Sequence, residues 1–189
     1  MATDEKPRIF QSGRDMIISM AVIVVLTVAI ILPTGLCTFN PGAPESGPVH
    51  EVDERTFLSL EAGAADYDLV IPTVPADWTA NSARRTSIGQ TPAPVVGYVT
   101  GENGFLQLVQ TDLPEEEAVD GIDGELRSLD RTEDIRGVEV SVHTSENEDV
   151  RDLWSFTEGG VTYLINGVAA DDEFATLIEA TLDGEPVEN

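Results

Sequence analysis

From Met16 to Pro44 the chain carries no charged side chain, although its flanks are crowded with carboxylates. Within that run Met16–Leu32 reads MIISMAVIVVLTVAIIL, almost wholly aliphatic and β-branched. A helix rises about 1.5 Å per residue and a hydrocarbon core is roughly 30 Å thick, so a membrane span takes about 20 residues. Met16–Leu32 would cover roughly 25 Å, and continuing to Leu36 brings the length to about 31 Å. Pro33 is expected to kink or stop the helix, because its ring removes a donor and clashes with the preceding turn. Arg14 can snorkel to the headgroups and relieve the slight shortfall. Eleven of the residues are Ile, Val or Leu. At about −0.3 to −0.6 kcal/mol each, they favour insertion by roughly 3–7 kcal/mol. Ser19 and Thr27 are expected to bond back to helix carbonyls and so cost little. A buried helix of a soluble domain would show a polar face, and this segment has none.

Lys6, Arg8 and Arg14 precede the apolar run, and the next basic residue after it is Arg55. Basic residues stay on the cytoplasmic side. The expectation is a single-pass, signal-anchored protein of the cell membrane, its N-terminus cytoplasmic and residues 37–189 extracytoplasmic. A cleaved secretory signal would need a small-residue A-x-A-like site after a shorter apolar core. LPTGLCTFN offers none, and Leu36 stands where lipidation of Cys37 would call for a small residue. Cys37 is the only cysteine, which excludes an intrachain disulfide and a CxxC metal or redox site. It reads as an inert residue at the membrane face.

The tail up to Asp15 holds three basic and three acidic residues, leaving seven arginines against 32 acids beyond it, a net of −25. Such a field repels nucleic acid and anionic headgroups and attracts cations and basic partners. The broad reading of this charge is a solvated face, and the narrower one is a dedicated cation site. From Glu51 to Leu182 there is room for one domain of ordinary size with its own core.

The segmentation that follows is a cytoplasmic tail (1–15), a transmembrane helix (16–36), a stalk linker (37–52), an extracytoplasmic α+β domain (53–183) and a C-terminal tail (184–189). Thr38–His50, rich in Pro, Gly and Ser, lacks apolar periodicity and reads as the stalk. Asp53 is placed to cap a helix whose stripe is Phe57, Leu58 and Ala62, ending near Gly63. Tyr67–Val74 is a short apolar run crossed by Pro72, and Pro75–Trp78 is a turn. Strands are expected at Thr79–Ser87, Val95–Thr100, Phe105–Thr111, Gly137–His143, Arg151–Thr157 and Val161–Asn166. Gly101–Gly104 and Glu158–Gly160 carry hairpin chemistry. Pro114 is expected at the first position of a short acidic helix, with Glu115, Glu116 and Glu117 where the dipole favours them. Asp171 or Asp172 is expected to cap a final helix with the stripe Phe174, Leu177, Ile178 and Leu182. Five or six antiparallel strands with two or three helices make an α+β class: a transmembrane helix, then one antiparallel sheet with helices packed on one face. No internal repeat is visible.

RDM before the apolar span, then VPADW, VVGYVTGENGFLQLVQTD and LWSFTEGGVTYLINGVA ahead of a closing helix resemble an actinobacterial family, domain of unknown function 4245. The resemblance covers roughly residues 14–182, and the GYVT-turn-FLQLVQ hairpin is its most specific piece. It implies a single-pass membrane protein with an extracytoplasmic α+β domain, and no activity, cofactor or catalytic residue.

The residues themselves assemble no chemistry. His50 and His143 are the only histidines and lack HxxxH or HxH spacing. From Asp120, an EF-hand register puts Ile122 at position 3 and Arg131 at position 12, so the calcium pattern fails. Neither G-x-S-x-G nor a phosphate loop is present. Ser141 and His143 share a strand face without an evident acid partner. Trp78 and Trp154 read as core residues rather than a carbohydrate platform. No catalytic, cofactor-binding or metal residue is therefore assigned, and no cofactor is implied. The expected function is a non-enzymatic membrane-anchored binding or accessory module, in contact with the lipid bilayer and a protein partner but not nucleic acid. A subunit of a larger membrane complex such as a respiratory assembly fits that description. The alternatives are an envelope domain that binds a peptide, lipid or cell-wall fragment, and, further off, an envelope hydrolase using carboxylates.

Overall fold

The computed structural model describes residues 13–34 and 50–187. The chain divides into two units, Met1–Gly47 and Pro48–Asn189. Lys6, Arg8, Cys37 and most of the expected stalk lie outside the described residues, as does the side chain of Arg14.

In the first unit α1 (Gly13–Thr34) is a helix of 22 residues that ends one residue past Pro33. Ser19 Oγ donates to the Met16 carbonyl at 3.0 Å and Thr27 Oγ1 to the Ile23 carbonyl at 2.8 Å, as expected of hydroxyls in an apolar helix. Side chains are described from Met16 to Val28, all of them exposed. Among the described residues no helix is long and apolar enough to cross a membrane.

The second unit is an α+β fold. Its elements are α2 (Glu54–Ala62), β1 (Val70–Ile71), β2 (Thr79–Ile88), β3 (Thr91–Val99), β4 (Phe105–Thr111) and α3 (Glu115–Gly121), followed by β5 (Ser128–Ile135), β6 (Val138–Thr144), β7 (Leu153–Glu158), β8 (Val161–Val168), α4 (Asp171–Leu182) and β9 (Glu185–Pro186). Seven strands form one antiparallel sheet in the order β2-β3-β4-β8-β7-β6-β5, and β1 pairs with β9. The sheet has one strand more than the sequence suggests. β5, SLDRTEDI, has mostly polar and charged residues and only its last residue is buried, so it lacks the alternation that marks a strand.

Adjacent residues of the central strands belong to different cores, because a strand sends successive side chains to opposite faces. Val96, Leu108, Trp154 and Ile165 join one cluster with Leu58 and Ala62 of α2 and Phe174, Leu177 and Ile178 of α4. Val95, Val109, Leu153 and Leu164 join a second with Ala118 and Val119 of α3. This corrects the expectation that all the helices share one face. α3 packs on the face opposite α2 and α4, burying only two small side chains, too slight a stripe to announce itself.

Local chemistry accounts for the element ends. Asp53 Oδ1 accepts from the Thr56 amide at 2.9 Å, which caps α2 as expected, and Gly63 ends it. Pro114 stands one position before α3 rather than inside it. At α4 the cap is Ala170, not an aspartate, and Glu173 reaches back to accept the Ala170 amide at 3.0 Å. Asp171 and Asp172 instead occupy the first turn, where the helix dipole favours them. Gly159 and Gly160 take φ of 61° and 87° in the β7–β8 turn, a conformation that costs glycine little.

Two polar devices close the core. Gln110, 1% exposed, donates through Nε2 to the Val70 carbonyl at 2.8 Å and accepts from the Val70 amide at 2.9 Å. One side chain thus satisfies both backbone groups of a strand residue. Tyr67 donates its hydroxyl to the Gln110 carbonyl at 2.8 Å, and burial pushes its pKa up to about 12. Arg131 and Arg136 tie the β5–β6 hairpin to the two ends of α4 through Asp171 at 2.8 Å and Asp183 at 2.6 Å. Replacement Gln110→Leu keeps the volume but strands the Val70 amide and carbonyl, so urea unfolding of the full chain in detergent should show a loss of about 1–3 kcal/mol with an unchanged m value.

Candidate functional site

α3 packs on β7 and β8, and an open cleft with polar side chains on both sides lies between this helix and residues of β5 and β6. α3 is clamped at both ends. Thr162 Oγ1 donates to the Leu113 carbonyl at 2.7 Å before its first turn, and the Gly89 amide donates to the Gly121 carbonyl at 3.1 Å after its last. A Cβ at Gly121 would press on Ile88, so the helix end sits directly on the β2–β3 turn.

That placement points Glu115 down onto β7. Ser155, fully buried, donates its hydroxyl to Glu115 Oε1 at 2.7 Å. His143 Nε2 lies 3.0 Å from the same hydroxyl oxygen. The serine has one proton and directs it at the carboxylate, so its oxygen accepts and His143 Nε2 carries the hydrogen. Burial holds the His143 pKa below the usual histidine value. Arg127 pushes the same way, while the carboxylates of Glu115 and Asp120 oppose it.

Arg127 anchors the neighbouring loop. Its side chain is 2% exposed, forks onto Asp123 at 2.7 and 2.8 Å, and donates through Nε to the Arg151 carbonyl at 3.0 Å. The guanidinium holds the Asp123 carboxyl below the usual range, and the Glu125 amide adds a weaker pull. Two clefts flank this arginine. One of about 350 Å³ is lined by Glu116, Asp120, Leu129 and His143, and one of about 650 Å³ by Glu125, Leu126, Thr144 and Glu146.

The chemistry available here is limited by the direction of the hydrogen bonds. A nucleophilic serine must be reachable and must donate to its base. Ser155 is unreachable and donates to the acid instead. Ser141 and His143 line one cleft, as their shared strand face requires, but the partner of the histidine is Ser155. His143 is half-buried beneath α3 rather than on a solvated strand face, because α3 covers that side of the sheet. His50 is exposed. Asp123, in the loop that superficially suggests a calcium site, spends its carboxylate on Arg127. No group of three His, Cys, Asp or Glu side chains that could hold a metal occurs among the described residues. Trp154 is a core residue stacked on Phe174 at 5.1 Å with the Arg131 guanidinium 5.3 Å from its ring centre, and Trp78 is half-buried against the same core.

Sequence reasoning missed Glu115, Ser155 and Arg127. The signal for Ser155 was a lone hydroxyl inside LWSF, an otherwise buried run. A second pair also escaped notice: Tyr98, fully buried in β3, donates its hydroxyl to the Glu54 carboxylate in the first turn of α2. Desolvation raises the pKa of both groups, Glu54 against the pull of that hydrogen bond.

NMR titration should place the His143 pKa below about 6.5, and Glu115→Gln should lower it further by removing a favourable negative charge. Because the folded state binds this proton less readily than the unfolded chain, the stability linked to His143 is complete above about 6.5 and declines as the pH falls through that value. A folded-state pKa raised by Glu115→Gln contradicts the assignment.

No curated protein and no solved structure matches the chain. A family model does match, across residues 8–181, in agreement with the resemblance carried by the β3–β4 hairpin. The chain therefore belongs to the family described as Protein of unknown function (DUF4245).

Proposed function

We propose that the protein is a non-enzymatic accessory module, held by α1 in the cell membrane as a single-pass anchor, whose α+β domain binds another envelope component outside the cytoplasm. The observation that carries this reading is the apolar surface of α1. Met16, Ile17, Met20, Ile23, Val25 and Leu26 are each more than half exposed, an arrangement that water penalises and a bilayer rewards. Basic residues before the helix and none after it until Arg55 favour the N-terminus on the cytoplasmic side. The non-enzymatic part draws support from the Glu115–Ser155–His143 chain, whose hydrogen bonds run toward the carboxylate and lock a helix onto the sheet. A subunit of a larger membrane complex, such as a respiratory assembly, is a setting in which an anchor and a small acidic domain suffice.

The test has two arms. The full chain should stay in the membrane pellet through an alkaline carbonate wash, and protease added outside intact spheroplasts should cleave residues 50–187. Purification in mild detergent after crosslinking should then recover defined partners in fixed ratio. A chain released by carbonate, a domain protected from external protease, or recovery of the free monomer alone overturns the proposal.

A further inference from the structure

Val99, Phe105 and Val168 belong to neither core, although they stand in register across β3, β4 and β8. They point to the side of the sheet that carries α3, because Tyr98, Leu106 and Ile165, at odd spacings from them, face the other core. On that side α3 covers the row Val95–Val109–Leu164. The next row, Gly97–Gln107–Asn166, lies beyond it, and Val99–Phe105–Val168 lies further still. Val168 is 61% exposed, and Val99, Phe105, Gln107 and Asn166 are half-buried. A Cβ at Gly97 would lie 3.0 Å from two carbons of the Phe105 ring and closer still to Ser82 Oγ. The ring therefore leans across the glycine onto β3, and the rest of it is left to solvent. Gln107 and Asn166 sit opposite each other, and neither side-chain amide bonds another described residue. No residue of these two rows is charged, in a chain of net −25.

From this geometry we infer that the open part of the α3 side of the sheet binds a short neutral oligosaccharide. Phe105 lies against the apolar face of a sugar ring, and the Gln107 and Asn166 amides donate to and accept from its hydroxyls. The inference deepens the accessory-module reading, on which it rests for a place outside the cytoplasm, and makes the envelope component a glycan. Charge and area decide among the occupants. An anionic ligand is repelled by the net −25 of the chain, which Arg84, exposed on the same side of β2 opposite Val95, does not offset. A cationic ligand finds no carboxylate in either row to receive it. Each amide carries donor and acceptor groups together, which suits hydroxyls that act as both. Two rows of three residues, with strands about 4.8 Å apart and rows about 7 Å apart, cover on the order of 150 Å². A second copy or another folded protein needs about 800 Å² on each side. The smaller area is that of about two pyranose rings. Since neither row holds a carboxylate, the surface binds a glycosidic bond without cleaving it.

The experiment applies the purified full chain, in a zwitterionic detergent without a sugar head group, to a printed array of neutral oligosaccharides of glucose, mannose, galactose and N-acetylglucosamine. Oligomers of galacturonic acid on the same array are the charged comparison. The expected result is binding to at least one neutral series and none to the uronic acid series. Phe105→Ala and, separately, Gln107→Ala should each weaken it about fivefold or more, the loss of roughly one ring contact or one hydrogen bond. Phe105→Trp should retain binding, and Leu60→Ser, at an exposed position on α2, should leave it unchanged. Gln107→Ala keeps the ring in place, so it decides the matter even where Phe105→Ala fails to fold. Failure of every neutral series to bind overturns the inference, as does binding that persists in both alanine variants or is confined to the uronic acid oligomers. Each of these results leaves the accessory-module reading standing, since carbonate extraction, external protease and crosslinking decide that reading separately. A domain protected from external protease removes both.

Discussion

Seven residue pairs between β4 and β8, from Phe105↔Val168 to Thr111↔Thr162, join the β2-β3-β4 meander to the β5-β6-β7-β8 meander. The register is set by burial on both sides. Leu108 faces Ile165 within one core, and Val109 faces Leu164 within the other. A slip of one residue would exchange every side chain between two differently shaped cores, so the pairing tolerates only one alignment. Gly167 fixes the same alignment by contact. A Cβ there would collide with the backbone of Phe105 and Leu106, so only glycine permits the two strands to approach as they do. The helices, the hairpins and the cleft beside α3 all take their positions from this seam.

The elements legible from residue order are those whose own chemistry defines them. The β3–β4 and β7–β8 hairpins have turn residues between apolar strands, and α2 and α4 have continuous apolar stripes. β5 was not legible because its partners are α4 and β6 rather than a core. Arg131 meets Asp130, Glu133 and Asp171 there, and pairs of this kind leave no hydrophobic period. The side on which α3 lies was hidden for a related reason: Ala118 and Val119 bury little, and the helix is positioned by Leu113, Thr162 and Gly121 instead. Of the site, His143 was visible as a residue, but its partners come from β7 and α3, 12 and 28 positions away in the chain. No spacing rule connects Glu115, Ser155 and His143, since sheet topology alone brings them together.

Arginine is sparse in this acidic domain, and most of it is used structurally. Five of its seven arginines form ion pairs, four of them between segments far apart in the chain. Most are exposed, where such pairs contribute little to stability. Their effect is to choose which carboxylates are neutralised. Glu61, Asp123, Asp171, Asp183 and Glu185 are neutralised in this way, while Glu116, Asp120, Glu125 and Glu146 face outward without an ion-pair partner among the described residues.

The Arg127 fork has one more consequence, which concerns entropy. With its guanidinium held by both oxygens of Asp123 and by the Arg151 carbonyl, the loop that presents Leu126 has few alternative conformations. The loop is therefore ordered by the fold itself, and a group meeting it would not bear the entropy of freezing a mobile segment.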